Sequence, residues 1–314
     1  MAAPSHHLAN RQRLTGDERS RVIRCRLGSG ECPHAKARRC RLACKNACMN
    51  ACGSNGWSVV ASAGSNSAFA GILAGFLFTG AVYLFSEPRK HSPVIALFLA
   101  SFLVLGFDSY LFSRVSGISI PENADSRVVS FLCHGVWMEG MAASGMLATG
   151  AAALIVGLGY LLVAHDSRAP YLQGLAILSG LGVLLGAPLL LLFTSFDFYE
   201  SIFDKPNWVI IYCVSGGAAA LTAIAGIMSF RWSHKYNSGD KNNLKLVTSA
   251  SYAIVVYAIL GPAFAAIVMR LPDSVVIDPH PALWILTTFI SVVIPACIVV
   301  GLAGGIADTD VDPL

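Results

Sequence analysis

Apolar positions in this chain do not alternate with polar ones; they run on. Segments 140–164, 169–196, 206–230 and 246–269 contain no Asp, Glu, Lys or Arg. A hydrocarbon core about 30 Å thick is crossed by about 20 helical residues, so each segment is long enough to span it. In lipid the backbone must satisfy its own hydrogen bonds, which makes these segments helices. The pattern predicts helices over about 67–85, 92–113, 127–164, 171–195, 207–230, 246–269 and 282–304. The expected fold is all-α: a polytopic membrane protein, a bundle of seven transmembrane helices with a disordered basic N-terminal arm. The third helix exceeds one crossing, at about 55 Å for a rise of 1.5 Å per residue. Residues 127–138 are expected either to lie in the interface or to project as a helical extension.

Within these segments the punctuation is Pro and Gly. Pro188, Pro262 and Pro295 fall inside helices four, six and seven. Each removes a backbone hydrogen bond and predicts a kink, which serves either a cavity or plain packing. Gly71/Gly75, Gly182/Gly186 and Gly301/Gly305 have the GxxxG spacing of close helix contacts, and Ser215, Ala219, Thr222, Gly226 and Ser229 give helix five a small-residue face. Packing within the bundle is the expected use, ahead of a dimer seam. No internal repeat supports an inverted-repeat transporter.

Composition agrees with the pattern. Charged residues make up 13% of the chain, against about 25% in soluble proteins. The net charge of +4 hides a partition. Residues 1–66 hold eleven Lys/Arg against three Asp/Glu, and the remainder holds eleven against fifteen. The domains read as a basic, Cys-containing arm (1–66), a seven-helix domain (67–305) and an acidic tail (306–314). The arm has too few large apolar residues to offset its chain entropy, so disorder is expected. Its basic region is too long for a signal peptide. A start placed too far upstream would also produce such an arm, with Met49 or a residue near Val59 as the true beginning. The arm is accordingly expected to be dispensable for insertion.

Six of the nine cysteines lie in the arm: Cys25, Cys32, Cys40, Cys44, Cys48 and Cys52. The last four recur every fourth residue, one face of a helix if one forms. Metal thiolates, disulfides or neither remain open, since structural zinc sites use close Cys pairs with a longer spacer between them. Cys133, Cys213 and Cys297 are expected to be ordinary buried thiols.

Loop charges set the orientation. The loops after helices one, three and five carry Arg89, Lys90, Arg168, Arg231, Lys235, Lys241 and Lys245; those after two, four and six carry Arg114, Arg127, Lys205 and Arg270. The richer set is expected in the cytoplasm. That gives N-out, C-in, in the plasma (cytoplasmic) membrane. The basic arm argues the reverse, but its last charge, Lys45, is about 22 residues from the expected first helix, beyond the window that counts most.

The polar residues inside the apolar segments are the candidate chemistry. Asp108 lies among Leu103, Leu105, Phe107 and Leu111 near the end of helix two. An intramembrane acid is costly and tends to face the bundle interior or a wet cavity. Glu139, His134 and Arg270 fall toward the same side by helix alternation. Asp108, Glu139, His134 and Arg270 are therefore the candidate substrate- or ion-binding cluster. The rival readings are one structural pair, Arg270 with Asp108 or Glu139, or a Glu139 at the water interface. His134, Met138 and Met141 share a helical face and are weak metal candidates, with core packing as the alternative.

Several function classes are excluded by missing chemistry. Helix seven has no Lys for a retinal Schiff base, and helices five to seven hold no Asp, Glu or His within the span. There is no GxxxxGK[ST] phosphate loop, and no pair of mid-membrane His residues for a haem. No cofactor and no nucleic-acid partner is expected; the lipid bilayer is the sure partner, with a membrane-protein partner or homo-oligomer in addition. The best reading is a small permease or channel-like carrier with a polar cluster near the outer leaflet. Its rivals are a non-catalytic membrane subunit or sensor acting through helix packing, and a membrane enzyme with an outer-face site. The chain leans away from an enzyme.

Overall fold

The computed structural model describes residues 52–54, 57–85, 88–120, 124–165, 170–202, 216–235, 242–277 and 281–306. Five of the six arm cysteines, and with them the metal reading of the arm, lie outside the described residues, as do Cys213 and nearly all of the acidic tail. A two-strand hairpin, β1 (Gly53–Ser54) and β2 (Trp57–Ser58), leads into the helices. These are α1 (Val59–Leu84), α2 (Pro88–Gly117), α3 (Ser126–His165), α4 (Pro170–Ile202), α5 (Gly217–Lys235), α6 (Asn242–Val268) and the short α7 (Asp273–Ile277). The last stretch runs as α8 (Pro281–Thr288), a π-helical turn (Phe289–Val293) and α9 (Ile294–Ile306).

Among the described residues, six helices are long and apolar enough to cross a membrane: Val59–Leu84, Val94–Gly117, Ser126–Leu161, Leu178–Ile202, Val247–Val268 and Pro281–Ala303. The expected fifth helix is described only from residue 216 onward. Side-chain distribution is inside out for a water-soluble protein. Phe69, Ile72 and Phe76 on α1, Leu185, Leu189 and Phe193 on α4, and Val256, Ile259 and Ile267 on α6 are all exposed. An apolar surface this continuous belongs in lipid.

α3 sits at the centre, against α1, α2, α4, α6 and α9. Glycines set its distance from α2. A methyl at Gly150 would strike Leu105, and one at Gly157 would strike the Phe98 ring. On its other sides Met146 fills the notch left by Gly261 of α6. Gly71 lies against Ser109 of α2, where Ser67 and Ser109 also exchange hydrogen bonds at 2.8 and 2.9 Å. Gly226 of α5 receives Leu184, and Thr222, one turn before it, is buried. Gly75, Gly182, Gly186 and Gly301 face open space.

Two expectations change at the N-terminal end, and one open alternative is decided there. The first helix begins at Val59, eight residues before the expected start, because Ser58 caps it by accepting a hydrogen bond from the Ala61 amide. Its first turns are small residues that pack against the bundle through Val59 and Ala63, a pattern that resembles arm composition in the sequence. Cys133 is not a free thiol: it is bridged to Cys52, while Cys297 is free and exposed. α3 is one unbroken helix of 40 residues, so its first part is a helical extension.

The bridge has a measurable consequence. It ties the hairpin to α3 across 81 residues of sequence, and the Trp137 indole donates to the Cys52 carbonyl at 3.0 Å. Cys52→Ser and Cys133→Ser should each lower stability to reversible SDS unfolding by about 2 kcal/mol, the low end for a loop of this size because inserted helices leave less entropy to restrict. The double substitution should match either single one, and reductant should reproduce the loss in the unsubstituted protein. An N-terminal deletion to Val59 would lose the bridge and the indole bond together, so that start cuts into the folded protein.

Candidate functional site

Asp108 occupies the lower half of α2, nine residues before Gly117. Its neighbours Phe107 and Tyr110 point outward and are exposed, which turns Asp108 inward. It is 0% exposed, and neither carboxylate oxygen has a hydrogen-bond partner among the described residues. An unpaired acid at such depth costs on the order of 2.5–3.5 kcal/mol on insertion scales, and no packing gain on one helix easily offsets that.

Two other buried, unpartnered polar groups come from facing elements. The Tyr257 hydroxyl on α6 and the Ser291 hydroxyl in the π-helical turn have no hydrogen-bond partner among the described residues. α2 packs against α6, and its contacts with α3, Leu105 on Gly150 and Arg114 on Glu139, put Asp108 level with Gly145 and Met146. Gly145 of α3 marks where Tyr257 and the π-helical turn meet it. A Cβ at Gly145 would lie 2.5 Å from the Tyr257 hydroxyl, 2.6 Å from the Ser291 carbonyl oxygen and 3.1 Å from Cγ of Pro295. The absence of that one methyl is what lets α6 and the π-helical turn bring their oxygens up to α3.

The π-helical turn has a local cause. Pro295 carries no N–H, so the α-helical bond that would end on the Ser291 carbonyl, four residues earlier, cannot form. The chain absorbs the proline with wider i→i+5 pairing; the Ile294 amide donates to the Phe289 carbonyl. Such one-turn π segments are enriched at functional sites. The expected kink at Pro295 is thus a π turn that aims a carbonyl and a hydroxyl into the bundle.

A second polar feature lies one and a half turns away. Arg114 Nε sits 3.5 Å from Oε1 of Glu139. Glu139 is 1% exposed and Arg114 about a third exposed, so the guanidinium reaches in from the end of α2. Arg114 is six residues beyond Asp108, and Glu139 six before Gly145. In antiparallel helices that places the ion pair about 9 Å from the Asp108 cluster, toward the face carrying Cys52–Cys133.

The sequence-predicted cluster is therefore brought together only in part. Arg270 is exposed and pairs with neither Asp108 nor Glu139; Arg114 holds the position expected of it. His134 donates from Nδ1 to the Val276 carbonyl of α7 at 2.8 Å, which ties α3 to α7. Met138 and Met141 are buried in the main core. Among the described residues no three His, Cys, Asp or Glu side chains form a metal-holding group. Tyr257, Ser291 and Gly145 were not legible as site residues. Only the Pro295 signal pointed to that part of the chain. Comparison of the chain with protein-family models, with curated proteins and with solved structures returns no match, so the site rests on its own geometry.

Proposed function

We propose that this membrane protein is a small permease or channel-like carrier whose path runs between α2, α3, α6 and the π-helical turn. One observation carries the reading: Asp108, Tyr257 and Ser291 are each buried inside membrane-crossing helices with their side-chain polar atoms unpartnered among the described residues. A purely structural acid would be held by a counter-charge, as Glu139 is by Arg114. A polar group kept without a partner at this depth is suited to a cargo that comes and goes. The Arg114–Glu139 pair lies between the cluster and the disulfide-bearing face, where it serves as the barrier on that side. A non-catalytic subunit is the rival reading, supported by Gly182 and Gly186, a GxxxG pair facing open space on α4.

Seven crossings and an N-out, C-in orientation belong to the same proposal. Tyr199 near the end of α4 bonds Thr288 at 2.7 Å and meets Trp284 edge-on. Met269, just after α6, lies against Gly135 near the start of α3. The ends of α4 and α6 thus belong to one face, and α6 begins at the other. A seventh crossing between Ile202 and Asn242, with α5 as its helix, is the reading that this arrangement supports. Disulfides persist in oxidising compartments, so the Cys52–Cys133 face is extracytoplasmic. This agrees with the loop-charge asymmetry, which places the same face outside.

Thiol labelling in intact cells tests both points, read as the increment over the unsubstituted protein. Ser116→Cys should react with an impermeant reagent and Phe85→Cys should be protected until the membrane is opened. Ser291→Cys should react with a small water-soluble reagent, because a path must admit water to the cluster. Reversal of the first two would overturn the orientation. A Ser291→Cys that never reacts, even in opened membranes, would overturn the carrier.

A further inference from the structure

We propose that Asp108, with Tyr257 and Ser291 on the facing elements, forms a binding site for a single monovalent cation, Na+ or H+, at the Asp108 carboxylate. The inference rests on the carrier reading of the same site and names what the site holds.

The donor set decides the class of ligand. The atoms available are the two carboxylate oxygens of Asp108, the Tyr257 hydroxyl, and the hydroxyl and carbonyl of Ser291. All are oxygens, the ligands of hard cations. The Ser291 carbonyl cannot receive the usual α-helical bond, because Pro295 has no N–H. Backbone carbonyls released where a membrane helix departs from α geometry serve as cation ligands in unwound helices. Gly145 lets the Tyr257 hydroxyl and the Ser291 carbonyl oxygen come up against α3, where any side chain would clash with them.

Charge decides the valence. The site contains one carboxylate and no counter-charge. On α2 the nearest cation, Arg114, is committed to Glu139 of α3. α1 and the stretch from α8 to α9 carry no charged residue, and on α6 Lys245 lies three turns from Tyr257. His134 of α3 is engaged with Val276. One negative charge in an apolar interior is neutralised by one positive charge; a divalent ion would leave an uncompensated charge in its place. Na+ and H+ satisfy the same requirement at the same oxygens, and they compete because either one neutralises the acid.

The purified full chain in nanodiscs gives the test. Radiolabelled Na+ should bind saturably at one ion per chain, with choline as the control cation. Its apparent affinity should weaken about tenfold for each pH unit of acidification where proton competition operates. Asp108→Asn should abolish binding while leaving the thermal unfolding transition in place. Tyr257→Phe and Ser291→Ala, milder changes, should each weaken it about tenfold. If the ion is H+ alone, Na+ will not bind, but the infrared carboxyl band missing in Asp108→Asn should disappear reversibly as the pH is raised. A carboxyl band that survives at every pH, with no Na+ binding, overturns the site. So does Na+ binding that persists in Asp108→Asn. Ion flux in proteoliposomes separates this inference from the carrier reading: binding without flux removes the carrier and keeps the site, whereas flux unchanged in Asp108→Asn removes the site.

Discussion

Gly145→Val should be the most damaging single substitution in the bundle, with a loss of at least about 3 kcal/mol, the upper end for overpacking a core. Even the first carbon of the new side chain would overlap Tyr257, the Ser291 backbone and Pro295 on two facing elements. One of the contacts is a carbonyl oxygen, which cannot swing aside as a side chain can. Relief would require moving the π-helical turn away from α3 and opening the cluster around Asp108. Gly64→Ala supplies the control. Gly64 is an exposed glycine of α1 with nothing within 4 Å of an added methyl, and the change should fall within about 0.5 kcal/mol of neutral. Reversible SDS unfolding of the two variants checks the contrast. Equal stabilities would mean that α3 and the π-helical turn leave room for a side chain at Gly145.

Arg114→Ala should cost about 3 kcal/mol, because it strands the buried Glu139 carboxylate without its counter-charge. Glu139→Gln should cost about 1 kcal/mol or less, since the Arg114 head is one-third exposed and can turn to water. The two effects should not add. A double Arg114→Met, Glu139→Leu variant should return to within about 1 kcal/mol of the native protein, because a buried ion pair and an apolar pair are close in net stability. Unfolding of all four proteins under one condition measures the coupling. Additive losses would show that Arg114 and Glu139 act independently and that no barrier pair closes the outer end of the cluster. If the pair is such a barrier, the double variant should also leak ions in proteoliposomes while remaining folded.

How far the sequence reached depends on which physical rule was in play. Long uncharged runs are a property of the chain alone, because lipid rejects an unpaired charge or an open backbone wherever the run lies. That rule sufficed for six membrane-spanning helices and for an inward Asp108. It failed at 59–66, where Ala, Gly, Ser and Asn read as arm, although Ser58 caps a helix there and Val59 and Ala63 are buried against the bundle.

The partners were a different kind of question. Arg270 and Arg114 both lie at helix ends on the side of Glu139, and helix alternation alone cannot choose between them. Rotation of α2 about its axis puts Arg114 on Glu139 and leaves Arg270 exposed. Cys133 looked like a core thiol until the hairpin folded back and laid Cys52 beside it. Tyr257, Ser291 and Gly145 are unremarkable residues in apolar helices; only the crossing of α3, α6 and the π-helical turn makes them one cluster. The sequence by itself determined what must be buried in lipid, since solvation energy is counted residue by residue. The tertiary structure alone decided which buried polar groups meet, since that depends on helix rotation and close approach, set here by glycines whose missing methyls become visible only when their neighbours are in place.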